Sequence, residues 1–142
     1  MTDSKARQTA SAGRMAPLIL VVDDDPDICR LLRLELELEG YRVAEAASGY
    51  VGLRIARAEH PAAIILDAML PPKGGVWVLQ ELKTDPATAS IPVVYISART
   101  NPEEVRQAME LGAKHFMPKP FDPQELTGVI ASLLPREDDQ PI

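Results

Sequence analysis

The sequence predicts an α/β fold, a doubly wound sheet of five parallel strands, on three observations. Short apolar runs alternate with helix-patterned segments five times over, turn and cap residues punctuate each change, and every connection between segments is short. Strict alternation of this kind requires right-handed crossovers that cover both faces of a parallel sheet. Ligands of such sheets sit beyond the carboxyl ends of the strands, so chemistry is to be sought there.

The first strand is the run Leu18 to Val22, which stops at Asp23-Asp24-Asp25. Asp25 as N-cap, Pro26 at the first helical position and Gly40 as terminator frame a helix over 26–39. Its segment Leu32-Arg-Leu-Glu-Leu-Glu-Leu-Glu39 alternates like a strand, yet Leu, Glu and Arg are strong helix formers and none is β-branched. Caps and composition decide for helix. A strand over 41–46 and a helix over 49–59 follow, then a buried strand over 63–67 and a helix over 75–83. The remaining elements are a strand over 91–97, a helix over 102–111 ended by Gly112, a short strand over 115–118 and a last helix over 123–134. Residues 1–16 and the acidic 135–142 read as disordered tails around one domain at 17–134, since neither segment has an apolar period.

Composition narrows the function. With 46% hydrophobic residues the chain can build a core, and 21 acidic against 15 basic residues give a formal charge of −6. That sign is wrong for a protein that coats nucleic acid or anionic lipid, so no direct nucleic-acid partner is expected. The single cysteine, Cys29, rules out an internal disulfide, and no apolar run approaches the roughly 20 residues of a membrane span. Without a signal-like leader either, the expected location is the cytoplasm.

Four strand ends carry polar residues: Asp23-Asp24, Asp67, Ser97 and Lys119. Three carboxylates gathered at one sheet edge repel each other, and a hard divalent cation bound through oxygen relieves this, with Mg²⁺ the best fit. Such a site keeps waters and completes its shell with phosphate, while an ammonium and a hydroxyl nearby suit the remaining phosphate oxygens. The constellation reads as a phosphoryl site.

The segments Val21-Val22-Asp23-Asp24, Asp67-Ala-Met-Leu-Pro71-x-x-x-Gly75, Ser97-Ala98 and Lys119-Pro120-Phe121 together resemble, in order and spacing, the receiver domain of two-component response regulators. The resemblance spans 17–134 and implies a flavodoxin-like sheet of order 2-1-3-4-5. It implies that Asp67 is the phosphoacceptor for a sensor histidine kinase or phosphotransfer protein. Asp24, Asp67 and the backbone carbonyl of Met69 would ligate Mg²⁺, with Asp23 acting mostly through metal-bound water. Lys119 would pair with phosphoryl oxygens, Ser97 would donate its hydroxyl, and Phe116 would be the aromatic switch. The Lys119–Pro120 bond is expected to be cis. A downstream protein target would dock on the face made by the fourth helix, fifth strand and fifth helix, and a homodimer is a further option. The chain is expected to stand alone and, turning over once on itself, not to be an enzyme.

Several residues depart from the family pattern. Phe116 lacks a tyrosine's hydroxyl, Pro118 removes a strand donor that only an edge strand can spare, and Lys73-Gly74-Gly75 makes a basic turn after the phosphoacceptor. Met69 and Arg99 stand at the places that flank the hydrolytic water in receivers, and neither can act as a general base. Other readings fare worse. A calcium loop beginning at Asp23 fails at Ile28 and Leu34, where a glycine and a bidentate acid belong. An aspartyl-phosphate phosphohydrolase with Asp23 as nucleophile and Asp25 as acid/base would carry a cap insertion for which no connection is long enough. A receiver-like module that works unphosphorylated usually lacks an acid or the lysine, and here all are present. Cys29 is expected to pack, His60 and His115 to lie on the surface, and Trp77 to serve core or interface.

Overall fold

The computed structural model describes residues 16–135, so the two expected tails fall almost wholly outside the described residues. Within them, Leu18–Val22 (β1), Arg42–Ala46 (β2), Ala63–Asp67 (β3), Val93–Ser97 (β4) and His115–Pro118 (β5) form one sheet of order β2-β1-β3-β4-β5. All four pairings are parallel, with Val21 opposite Ile65 and Asp67 opposite Ile96 in register. The helices are Pro26–Leu38 (α1), Gly49–Glu59 (α2), Gly74–Thr84 (α3), Pro102–Glu110 (α4) and Pro123–Leu133 (α5). No described helix is long and apolar enough to cross a membrane.

Every residue of β1, β3 and β4 is buried, which is why these strands read as unbroken apolar runs. Alternate strand residues face two separate cores. Ile19, Val21, Ile65, Val94 and Ile96 pack with Cys29, Leu32 and Leu36 of α1 and Leu126 and Ile130 of α5. Leu20, Val22, Ile64, Leu66, Val93 and Tyr95 pack on the other side with Leu53 and Ala56 of α2, Val78, Leu79 and Leu82 of α3, and Ala108 of α4.

The Leu-x-Leu alternation of α1 resolves as two apolar stripes on one helix. Leu32 and Leu36 are buried, whereas Leu31, Leu34 and Leu38 face outward. Asp25 caps the helix by accepting from the Asp27 N–H at 2.9 Å. Its end differs slightly from the expected one, because Glu39 is the C-cap and Gly40, at φ +94°, reverses the chain. The N–H of Tyr41 then donates to Leu36 O, so Tyr41 closes the helix and β2 starts at Arg42. Likewise Ile91 donates to Thr88 O in a turn and Pro92 has no N–H, so β4 begins at Val93 instead of 91. α3 extends one residue beyond the expected 75–83 at each end, and Leu111 and Leu134 are C-caps, not helical residues.

Candidate functional site

The site lies at the carboxyl edge of β1, β3 and β4. The Asp23 N–H donates to Ala46 O at 3.0 Å, prolonging the ladder by one residue and turning the carboxylate inward, where it is 4% exposed. The Asp25 N–H donates to Asp23 Oδ1 at 2.9 Å, and the Cys29 thiol donates to the Asp23 carbonyl at 3.3 Å. Cys29 is thus a packing residue, and burial pushes its thiol up to about 11, out of nucleophilic range. Asp67, the last residue of β3, is 3% exposed, and its Oδ1 accepts from the Met69 N–H at 3.2 Å. Asp24 is exposed beside them. One carboxylate oxygen from each of Asp23, Asp24 and Asp67 lies within 4.8 Å of the others.

Lys119 reaches this cluster from the far edge. Its N–H donates to Ser97 O at 2.9 Å, anchoring the segment after β5 to the end of β4, and the Lys119–Pro120 bond is cis. The Lys119 ammonium donates to Asp23 Oδ2 at 3.1 Å and stands 3.4 Å from Asp67 Oδ1. Burial opposes charge on Lys119, but the Asp23 hydrogen bond and the fields of Asp23 and Asp67 outweigh it and hold the ammonium above its ordinary range. Asp23 is raised, chiefly by burial and then by Asp67, against the lowering effect of the Asp25 N–H and Lys119. Three carboxylates against one ammonium leave two negative charges uncompensated. The donor set is all oxygen, hard and preassembled, which fits a small divalent cation.

Ser97, fully buried, ends β4 next to this cluster. Its Oγ accepts from the Arg99 N–H at 3.0 Å and donates to Glu104 Oε1 of α4 at 3.3 Å. Phe116 is half-buried on β5, with its ring centroid 5.9 Å from that of Tyr95. Met69, two residues after Asp67, is 48% exposed, and Arg99, two residues after Ser97, is exposed. The structure therefore brings Asp23, Asp24, Asp67 and Lys119 together directly and places Ser97 at the end of neighbouring β4 and Phe116 on β5 beyond it.

A family model described as "Response regulator receiver domain" matches residues 19–131. The chain belongs to the response regulator receiver domain family. This receiver is 39% identical over 125 residues to the DNA-binding dual master transcriptional regulator RpaA of Synechocystis sp., a match covering 88% of this chain and 52% of the relative. It is 35% identical over 127 residues to the DNA-binding response regulator MtrA of Mycolicibacterium smegmatis, covering 89% of this chain and 54% of that one. The receiver thus spans about half the length of the curated relatives it matches. Among solved structures, the chemotaxis response regulator CheY4 of Vibrio cholerae superposes with a TM-score of 0.79 at 26% identity, covering 84% of this chain and 100% of that one. The flavodoxin-like, CheY-like fold and the role in two-component signal transduction are thereby established.

Two features escaped the sequence. The contact of Glu104 with Ser97 is one, since the only sequence signal at Glu104 is that of a helix start, an acid three residues after the N-cap Asn101. The basic turn is less free than its glycines suggest. Lys73 Nζ sits 5.1 Å from the Trp77 ring centroid, and Trp77 packs against Tyr50 at 5.1 Å. Gly74 is at φ +86°, and the Pro71–Pro72 bond is cis. His60 and His115 lie exposed and outside the acidic cluster, as expected.

Proposed function

We propose that this receiver takes a phosphoryl group on Asp67 from a phosphohistidine and reports it through the face of α4, β5 and α5. The observation that carries the reading is the buried Asp67 carboxylate held between Asp23, Asp24 and the Lys119 ammonium at 3.4 Å. An Asp67 oxygen forms the new O–P bond while the P–N bond to the donor imidazole breaks, and the imidazole leaves with the bonding pair and is then protonated. Asp23, Asp24 and Asp67 would hold Mg²⁺, with the Met69 carbonyl completing the protein's share. When bound, the ion neutralises charge on the phosphoryl oxygens. Lys119 supplies the second positive charge and exchanges its Asp23 contact for a phosphoryl oxygen. Ser97 then donates its hydroxyl, and Phe116, without a hydroxyl of its own, can only fill space as the segment moves.

A sensor histidine kinase or phosphotransfer protein is the donor in this reading, and a protein target receives the signal in the cytoplasm. Two curated relatives are named as DNA-binding regulators, and the expectation that this chain makes no direct nucleic-acid contact rests on its acidic charge alone. Incubation with a small-molecule phosphodonor and Mg²⁺ tests the assignment. One phosphoryl should be added per chain, none in Asp67→Asn and almost none in Asp24→Ala. Equal incorporation in Asp67→Asn overturns it, and a labile phosphoryl mapped to Asp23 would favour the phosphohydrolase reading instead. Lys119→Ala should still take up some phosphate but lose the change in amide exchange across 97–120. Because Met69 and Arg99 cannot position an attacking water, the Met69→Asn, Arg99→Glu double variant should lose its phosphate faster than wild type.

A further inference from the structure

We infer that Glu104 is a positioning residue that holds the Ser97 hydroxyl in the unphosphorylated state, so that phosphorylation hands this single proton from Glu104 to the phosphoryl group and frees the first turn of α4. The inference rests on the reading of Asp67 as phosphoacceptor. A serine hydroxyl has one proton to donate. In this structure its acceptor is Glu104 Oε1 at 3.3 Å, a long contact for a hydroxyl on a carboxylate and so one that a better acceptor can displace, while Oγ itself accepts from the Arg99 N–H at 3.0 Å. Ser97 is fully buried, so no solvent competes for that proton.

The geometry of α4 explains why Glu104 is available. Asn101 is the N-cap and accepts from the Glu104 N–H at 2.8 Å, which places Glu104 at the third helical position. A glutamate there commonly turns back to the N-cap amide to complete a reciprocal box. Here its carboxylate reaches across to the end of β4 instead. The same carboxylate lies close enough to the buried Tyr95 to act on it together with Asp67. Burial first, then Glu104 and Asp67, push the Tyr95 hydroxyl up to about 12. Glu104 and Asp67 thus both act on the same buried hydroxyl.

Because Asp67 pairs with Ile96, Ser97 sits one residue beyond it on the neighbouring strand. The Ser97 carbonyl also accepts from Lys119, so the two groups that would meet phosphate are joined by a backbone bond. A dianionic phosphoryl is a stronger acceptor than one carboxylate, and it repels Glu104 as it draws the hydroxyl away. The proton cannot serve both.

Beryllofluoride with Mg²⁺, a stable phosphoryl mimic, provides the test, read by the change in intrinsic Trp77 fluorescence or by amide exchange. Removing the competing acceptor in Glu104→Ala should tighten apparent binding on the order of tenfold, and Glu104→Gln, which keeps a weaker neutral acceptor, should fall between. Glu103→Ala, on the same turn but bonded to Arg106, should bind as wild type does. In a Ser97→Ala background the Glu104→Ala change should have no further effect. Unchanged binding in Glu104→Ala, or a full effect that persists without the Ser97 hydroxyl, overturns the hand-over while leaving the Asp67 assignment intact. No binding to wild type at all removes the site reading and the hand-over with it.

Discussion

α3 and α4 lie on the same side of the sheet and are held by opposite means. α3 buries Gly75, Val78, Leu79 and Leu82 but has no side-chain cap at its start, where Lys73 makes no capping bond. α4 buries only Ala108, yet its N-terminus carries Asn101 as cap, Pro102 at the first position and two glutamates in the first turn. One helix is fixed by its face and the other by its ends. The contrast teaches that the segment after β3 is tied to the core by several side chains, whereas the segment after β4, which buries only Ala108, should open at lower cost. Asp67 ends the strand that leads into α3, and Ser97 ends the strand that leads into α4.

The largest test of this contrast is core truncation. Leu79→Ala should cost about 2–5 kcal/mol of global stability in a urea titration, whereas Val105→Ala on half-buried α4 should cost about 1 kcal/mol or less. Similar losses would break the distinction. Gly75→Ala comes next. A Cβ at Gly75 would stand 2.6 Å from Asp67 O and 2.8 Å from Ala68 Cα, both backbone-bound, so the chain must shift. A loss of about 1–3 kcal/mol is expected, with slower phosphoryl uptake because the strain falls on the Asp67 peptide.

Asn101→Ala sharpens the other half of the comparison. Loss of the cap should speed amide exchange in α4 about fivefold, equivalent to about 1 kcal/mol, while α3 exchange and the urea midpoint stay near wild type. The smallest effect concerns the Lys119 ammonium beside Asp23 and Asp67. The Lys119 ammonium is held above its unfolded range, so its contribution is fully present below about pH 10.5 and is lost as the pH rises through the folded value. With the amine partly exposed, this is worth less than about 1 kcal/mol, and Asp23→Asn should shrink that alkaline step in a pH series of melts.

Most of the fold could be read from residues whose roles are local. β1, β3 and β4 announced themselves because burial on both faces leaves no polar position, and α1 was framed correctly by Asp25, Pro26 and Gly40 despite its strand-like alternation. The misjudged ends are places where a tertiary or turn hydrogen bond decides, as with Tyr41 on Leu36 and Ile91 on Thr88. The convergence of Asp23, Asp24, Asp67 and Lys119 was legible because strand ends of a parallel sheet share one edge. The pairing of Ser97 with Glu104 was not, since it depends on the path of the 98–101 connection, and side-chain reach across a loop has no sequence period.

The separation of the interior into two cores has a consequence for how the chain can change. Backbone hydrogen bonds of the sheet form an inextensible partition, and side chains on opposite faces share no packing partner. Defects on the two faces should therefore combine without interaction. Leu36→Ala beneath α1 and Leu79→Ala beneath α3 are expected to add in free energy to within about 0.5 kcal/mol, where a pair within one face would not. Substitutions can then accumulate behind α1 and α5 without compensation behind α2, α3 and α4, so the α1/α5 layer can diverge while the layer that backs Tyr95 and α4 stays as it is.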